Sequence, residues 1–173
     1  MKRTLAFAVF VLVSSSLVVS CKKGDDGPPG TANVKYSAWF TPAQYTKETI
    51  FGINNFSYNQ PAPEITQQII DTGTVLTFGK LLGYSDLIWP ASQVSQLPIN
   101  VTYYQSPASQ TDTWSALITP GNLKIRFVNN NNIYNSIANT HMFRYIIIPG
   151  AVSTGRARSM TYHEVCETYN IPE

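Results

Sequence analysis

The stretch "TWSALITPGNLKIRFV", Thr113 to Val128, limits what this chain can fold into more than any other segment. Pro120-Gly121 fits the two central positions of a type II turn: proline presets the first and glycine accepts the left-handed second. After the turn Leu123, Ile125 and Phe127 alternate with Lys124 and Arg126, the period of two that turns one face of a strand to a core and the other to water. A two-stranded hairpin with one apolar face is marginal alone, so the chain must supply further strands and a second layer to cover it.

Other segments supply them. "VKYSAWF" places Val34, Tyr36, Ala38 and Phe40 on one face, and "ETIFGINNFSY" (Glu48 to Tyr58), "TVLTFGKL" (Thr74 to Leu81), "LPINVTYY" (Leu97 to Tyr104) and "MFRYIII" read as further strands. Pro149-Gly150 stops the last of these, and an Asn-rich loop, Asn129 to Asn132, precedes it. Between strands, "QPAPEITQQIIDTG" carries Ile65, Ile69 and Ile70 at helical spacing, which predicts a short helix of about two turns with Pro63 in its first turn and Gly73 as C-cap. At the end of the chain Tyr162, Val165, Cys166 and Tyr169 follow i, i+3, i+4, i+7, with His163, Glu164 and Glu167 facing away, so an amphipathic helix closes the domain. The expected fold is mainly β, a β-sandwich-like domain or an α+β variant, with one short inserted helix and one terminal helix.

The N-terminus reads as an address. Lys2 and Arg3 precede the apolar stretch Leu5 to Val13, and the run falls short of the ~20 apolar residues of a membrane-spanning helix, so residues 1–20 are read as a secretory signal peptide. Val18-Val19-Ser20-Cys21 resembles a bacterial lipobox, which makes Cys21 the lipidated N-terminus of the mature chain. Acyl chains contribute ~0.8 kcal/mol per buried methylene, enough for a stable anchor when more than one is attached. Next come two collagen-like triplets, Gly24-Asp25-Asp26 and Gly27-Pro28-Pro29, too few to nucleate a triple helix. Residues 21–32 therefore read as a semi-rigid tether, and 33–173 as one globular domain, a monomer.

Composition excludes several functions. The chain has 12 basic and 10 acidic residues, but cleavage after residue 20 removes Lys2 and Arg3 and leaves 10 against 10, so no electrostatic footprint for nucleic acid remains. With Cys21 lipidated, Cys166 has no partner for an internal disulfide, and the hydrophobic core must hold the domain.

Each near-motif for chemistry lacks an essential part. "HEVCE" (His163 to Glu167) has Glu where a zinc helix of the HExxH type needs its second histidine. "GTVLTFGK" has the wrong spacing for a phosphate loop and lies where a strand is expected. No G-x-S-x-G elbow is present, and Glu48, Glu64, Asp71, Asp86 and Asp112 are scattered. The expectation is no catalytic residue, no metal and no cofactor. Aromatic residues make up 12% of the chain. Trp39, Trp89 and Trp114, with Tyr103 and Tyr104, are the candidates for stacking on a sugar, and Trp89-Pro90 is the expected exposed one.

The lipobox, the Gly-x-y tether, "TANVKYSAWF", "PEITQQIIDTGTVLTFGKL", "FRYIIIPG" and "YHEVCETYNIPE" together resemble a family of exported Bacteroidota lipoproteins of unknown function. The resemblance implies an outer-membrane, lipid-anchored protein with a β-rich domain and no assigned catalytic residues, facing the periplasm or displayed on the cell surface. Asp25-Asp26, after Lys22, Lys23 and Gly24, resemble the acidic display signal of that group. Two roles follow as expectations: a non-catalytic protein that binds a partner or serves structurally, or a surface glycan-binding lipoprotein using exposed aromatics.

Overall fold

The computed structural model describes residues 33–150 and 160–173; the expected signal peptide, lipidated Cys21 and tether lie outside the described residues. Among the described residues nine strands and two helices follow in the order β1 (Lys35–Tyr36), β2 (Thr46–Ile50), β3 (Ile53–Ala62), α1 (Gln67–Thr72), β4 (Thr74–Lys80), β5 (Val94–Gln96), β6 (Ile99–Gln105), β7 (Ala108–Thr119), β8 (Gly121–Asn129), β9 (Met142–Ile148) and α2 (Tyr162–Tyr169). They form two antiparallel sheets, a five-stranded one in the order β2-β3-β8-β7-β6 and a four-stranded one in the order β1-β9-β4-β5. The fold is mainly β and sandwich-like, as the alternation requires.

The hairpin that dictates this architecture is β7–β8. Thr119 pairs with Asn122 around Pro120-Gly121, and Gly121 has φ +75°, the left-handed position of a type II turn. Leu123, Ile125 and Phe127 point inward with Trp114, Ile99, Val101 and Phe56, and meet Phe143, Tyr145 and Ile147 of β9 from the other sheet. The reverse face of β9 is covered too. Ile146, with Phe78 of β4, packs against Tyr162, Val165, Cys166 and Ile171. Burial on both faces is why "MFRYIII" reads as a near-continuous apolar run instead of an alternating one.

Several local features differ from the sequence expectations. "ETIFGINNFSY" is a hairpin, not one strand, because Phe51 (φ +48°) and Gly52 (φ +81°) turn the chain between β2 and β3. Pro61 lies inside β3, where it is tolerated because β2 pairs only with Ile53 to Ser57 and the later part of that edge is free. Pro63 stands in the turn before α1, whose N-cap is Thr66. Gly73 is the C-cap, but its φ of −106° is open to any residue. A side chain is excluded there by space, since a Cβ would lie 2.8 Å from the Ile148 carbonyl oxygen. The strand expected across "VKYSAWF" shrinks to β1 plus a bridge between Phe40 and Phe143.

The terminal helix is bound into this architecture. Thr161 and Glu164 form a capping box at its start, and Asn170 closes it in the left-handed region. Arg144, buried in β9, donates from Nε to the Ser37 carbonyl (3.0 Å) and from Nη1 to the Tyr162 hydroxyl (2.8 Å), which ties the segment just after β1, the sheet and α2 together.

Candidate functional site

The Asn-rich loop organises one end of the sandwich. The side-chain oxygen of Asn129 accepts the Asn131 N–H (2.9 Å), an Asx turn. Asn130 Oδ1 accepts the Thr111 N–H (2.8 Å), and Asn132, at φ +56°, donates from Nδ2 to the Gly52 carbonyl (2.7 Å) while its Oδ1 accepts the Asn54 N–H (2.8 Å). Each asparagine satisfies a backbone group that no sheet ladder reaches. The result is a fixed path for residues 130–141, which cross from β8 to β9.

This crossing loop and the β4–β5 connection wall a cavity of about 540 Å³. The crossing loop contributes Tyr134, Ile137 and His141, the β4–β5 connection contributes Tyr84 and Ile88, and the five-stranded sheet contributes Tyr103, Trp114 and Phe127. Beneath it sits Asp112, with 0% exposure.

Asp112 is held by a converging set of donors. Asn129 Nδ2 donates to Oδ1 (2.8 Å), and the hydroxyls of Tyr84 (2.8 Å), Tyr134 (2.9 Å) and Tyr103 (3.3 Å) all lie against Oδ2. Tyr103 and Tyr134 hydroxyls are also 2.6 Å apart. Two hydroxyls carry two protons, so only two of the three contacts in the triangle Tyr103–Tyr134–Asp112 are hydrogen bonds at once. Distance favours Tyr134 donating to Asp112 and Tyr103 donating to Tyr134. Trp114 Nε1 donates more weakly to the Tyr84 oxygen (3.4 Å). Among the described residues no lysine or arginine pairs with Asp112.

Burial sets the protonation of the walls. It pushes the Tyr84, Tyr103 and Tyr134 hydroxyls above their ordinary range, and for Tyr134 the hydrogen bond to Tyr103 and the nearby Asp112 push the same way. Burial brings the imidazole of His141 down to about 4, against the smaller upward pull of Asp112. His141 is therefore neutral at pH 7. Its Nδ1 accepts the Leu82 N–H (3.1 Å), which places the ring proton on Nε2.

The sequence candidates do not assemble into a platform. Trp114 is 1% exposed and belongs to the inner core and cavity wall. Trp39 is half-buried in the outer cluster, against Tyr162 and beneath Lys80 Nζ, 4.5 Å from its ring. Trp89, expected to be exposed, is half-buried against the inner core with its indole N–H enclosed. The reason is local: the Ile88 and Trp89 amides donate to the Ser85 carbonyl, and the Ala91 amide to Asp86 Oδ1, which folds the tryptophan inward. Its neighbour Leu87 is left outside at 98% exposure. Tyr103 enters the cavity while Tyr104, next along β6, faces solvent.

At the other end of the domain, Cys166 is buried on the apolar side of α2, whereas His163 is exposed and contacts Glu173. The described residues contain no group of three or more His, Cys, Asp or Glu side chains placed to hold a metal ion, and no described helix is long and apolar enough to cross a membrane.

Sequence reasoning passed over Asp112, Tyr84, Tyr134 and His141. The one available signal was Asp112 at an inward position of β7, two residues before Trp114 on the same face. No family model, no curated protein and no solved structure matches this chain.

Proposed function

We propose that this chain is a lipid-anchored envelope protein that acts by reversible binding of a small ligand in the aromatic cavity above Asp112. The observation that carries the reading is the cavity itself, whose volume of about 540 Å³ falls in the ~300–1,000 Å³ range of small-molecule sites and whose walls are apolar with few convergent polar groups. The wall chemistry supports binding over turnover. The tyrosines hold their protons, and His141 has a weakly basic ring with one nitrogen already accepting from Leu82. The anchor rests on Val18-Val19-Ser20-Cys21, and Cys21→Ser should release the protein from the membrane fraction; full retention would refute lipidation.

A ligand-observed NMR screen of small aromatic, polyol and amine fragments against the full chain in non-ionic detergent tests the binding site. Ala138 lines the cavity and is exposed, so Ala138→Trp fills the space without entering the core. Hits that disappear in that variant support the reading; hits that persist unchanged refute it.

A further inference from the structure

Six aromatic rings close a circuit around the cavity. Going round, Tyr103 and Tyr84 have centroids 6.3 Å apart, Tyr84 and His141 6.3 Å, His141 and Trp114 4.5 Å, Trp114 and Phe127 4.6 Å, and Phe127 and Tyr134 5.3 Å. The 2.6 Å contact between the Tyr134 and Tyr103 hydroxyls completes it. All six rings line the same space. We infer that this cage binds the peralkylated ammonium head of an organic cation, a deepening that rests on the cavity being a binding site.

The first argument is charge. The faces of these rings carry the negative part of the aromatic quadrupole, which attracts a cation within about 6 Å of a centroid. Asp112 lies directly behind them, and among the described residues no basic side chain pairs with it. The wall contributes no competing positive charge, because its histidine is neutral at pH 7. A desolvated well of this kind favours a cation over a neutral molecule of the same shape.

The second argument is the state of the donors and acceptors, which separates ligand classes. A sugar needs several free hydrogen-bonding groups deep in its site, yet of the ring donors the tyrosine protons are spent on Asp112 and on one another, the Trp114 N–H points at Tyr84, and the His141 Nε2–H alone stays open. A primary ammonium brings three N–H groups that need acceptors, and the Asp112 oxygens, already facing three donors, leave about one lone-pair site for it. A quaternary ammonium brings no donor. It asks only for polarisable faces and a negative background, both of which the cage offers.

The test is isothermal titration of the full chain in non-ionic detergent with choline and with 3,3-dimethylbutan-1-ol, its uncharged isostere, on the parent, Tyr103→Leu and Asp112→Asn. Tyr103 lies half-buried in β6, so its replacement removes one ring face without emptying the core. The expected result is saturable choline binding at least tenfold tighter than that of the isostere, weakened at least fivefold by Tyr103→Leu and, if the variant folds, by Asp112→Asn. Equal affinity for the two probes, no heat with choline, or choline binding untouched by Tyr103→Leu overturns the inference. If fragments that Ala138→Trp abolishes still bind while choline does not, the cation assignment alone has failed. If the fragment hits also survive Ala138→Trp, the cavity reading has failed with it.

Discussion

Lowering the pH from 7 to 4 should weaken this domain through one residue, His141. The imidazole is 6% exposed, packs 4.5 Å from the Trp114 ring and accepts the Leu82 N–H. Burial disfavours its charged form more than Asp112 favours it, so its folded value is about 4, below the ~6.5 of a histidine in the unfolded chain. Below pH 6.5 the unfolded state takes up a proton that the folded state refuses. The stabilisation is therefore complete above about pH 6.5 and disappears as pH falls toward 4. A difference of roughly 2.5 pH units at ~1.36 kcal/mol each gives a loss of about 3 kcal/mol across that window. Urea unfolding at pH 7 and pH 4 measures it, with His141→Asn as the control, because an asparagine side-chain oxygen can accept the same Leu82 N–H without titrating. Carboxylates contribute equally to both proteins, so the parent should lose about 3 kcal/mol more than the variant. Equal losses, or an NMR titration of His141 centred near 6.5, would refute the reasoning.

Asp112→Ala strands the buried Asn129 amide and the hydroxyls of Tyr84 and Tyr134, and at ~1–3 kcal/mol per unsatisfied buried group it should cost at least about 3 kcal/mol in chemical denaturation. Ile171→Ala empties a site beneath α2 and should cost about 2–4 kcal/mol, while deleting residues 160–173 uncovers Phe78 and Ile146 and should abolish cooperative unfolding; a truncated domain that melts like the full chain contradicts the outer core. Gly150→Ala would bring a Cβ to 1.9 Å from the Thr72 carbonyl oxygen, where only backbone could move, and should lower stability by about 1–3 kcal/mol; an unchanged melting temperature would show that the contact relaxes freely.

Where one side chain's period decides an element, the sequence was legible. Leu123, Ile125 and Phe127 alternate because one face of β8 is wet, and Tyr162, Val165 and Cys166 share a stripe because α2 covers a sheet. Boundaries set by tertiary contact were harder to read. Nothing local marks Phe51 as a turn residue, and Pro61 resembles a breaker until the pairing limits of β2 are known. Asn129 to Asn132 read as a single polar loop, yet their side chains reach three backbone segments: the loop itself from Asn129, β7 from Asn130 and Asn131, and the β2–β3 turn from Asn132. The cavity was least legible, for it joins Tyr84, Tyr103, Asp112, Tyr134 and His141 from segments far apart in the chain. Tryptophan drew attention as a stacking residue, but large aromatics are also the natural filling of a small sandwich, and the structure uses Trp114 as both core and cavity wall.

The central claim is that the cavity above Asp112 takes a ligand. Side-chain NMR of the full chain, with the aromatic rings labelled and the tightest-binding fragment of the screen added to saturation, tests it most directly. Shifts concentrated on Tyr84, Tyr103, Trp114 and Tyr134, and lost in Ala138→Trp, are the predicted result. Shifts confined to residues outside the cavity, or unchanged when Ala138→Trp fills it, would contradict the account.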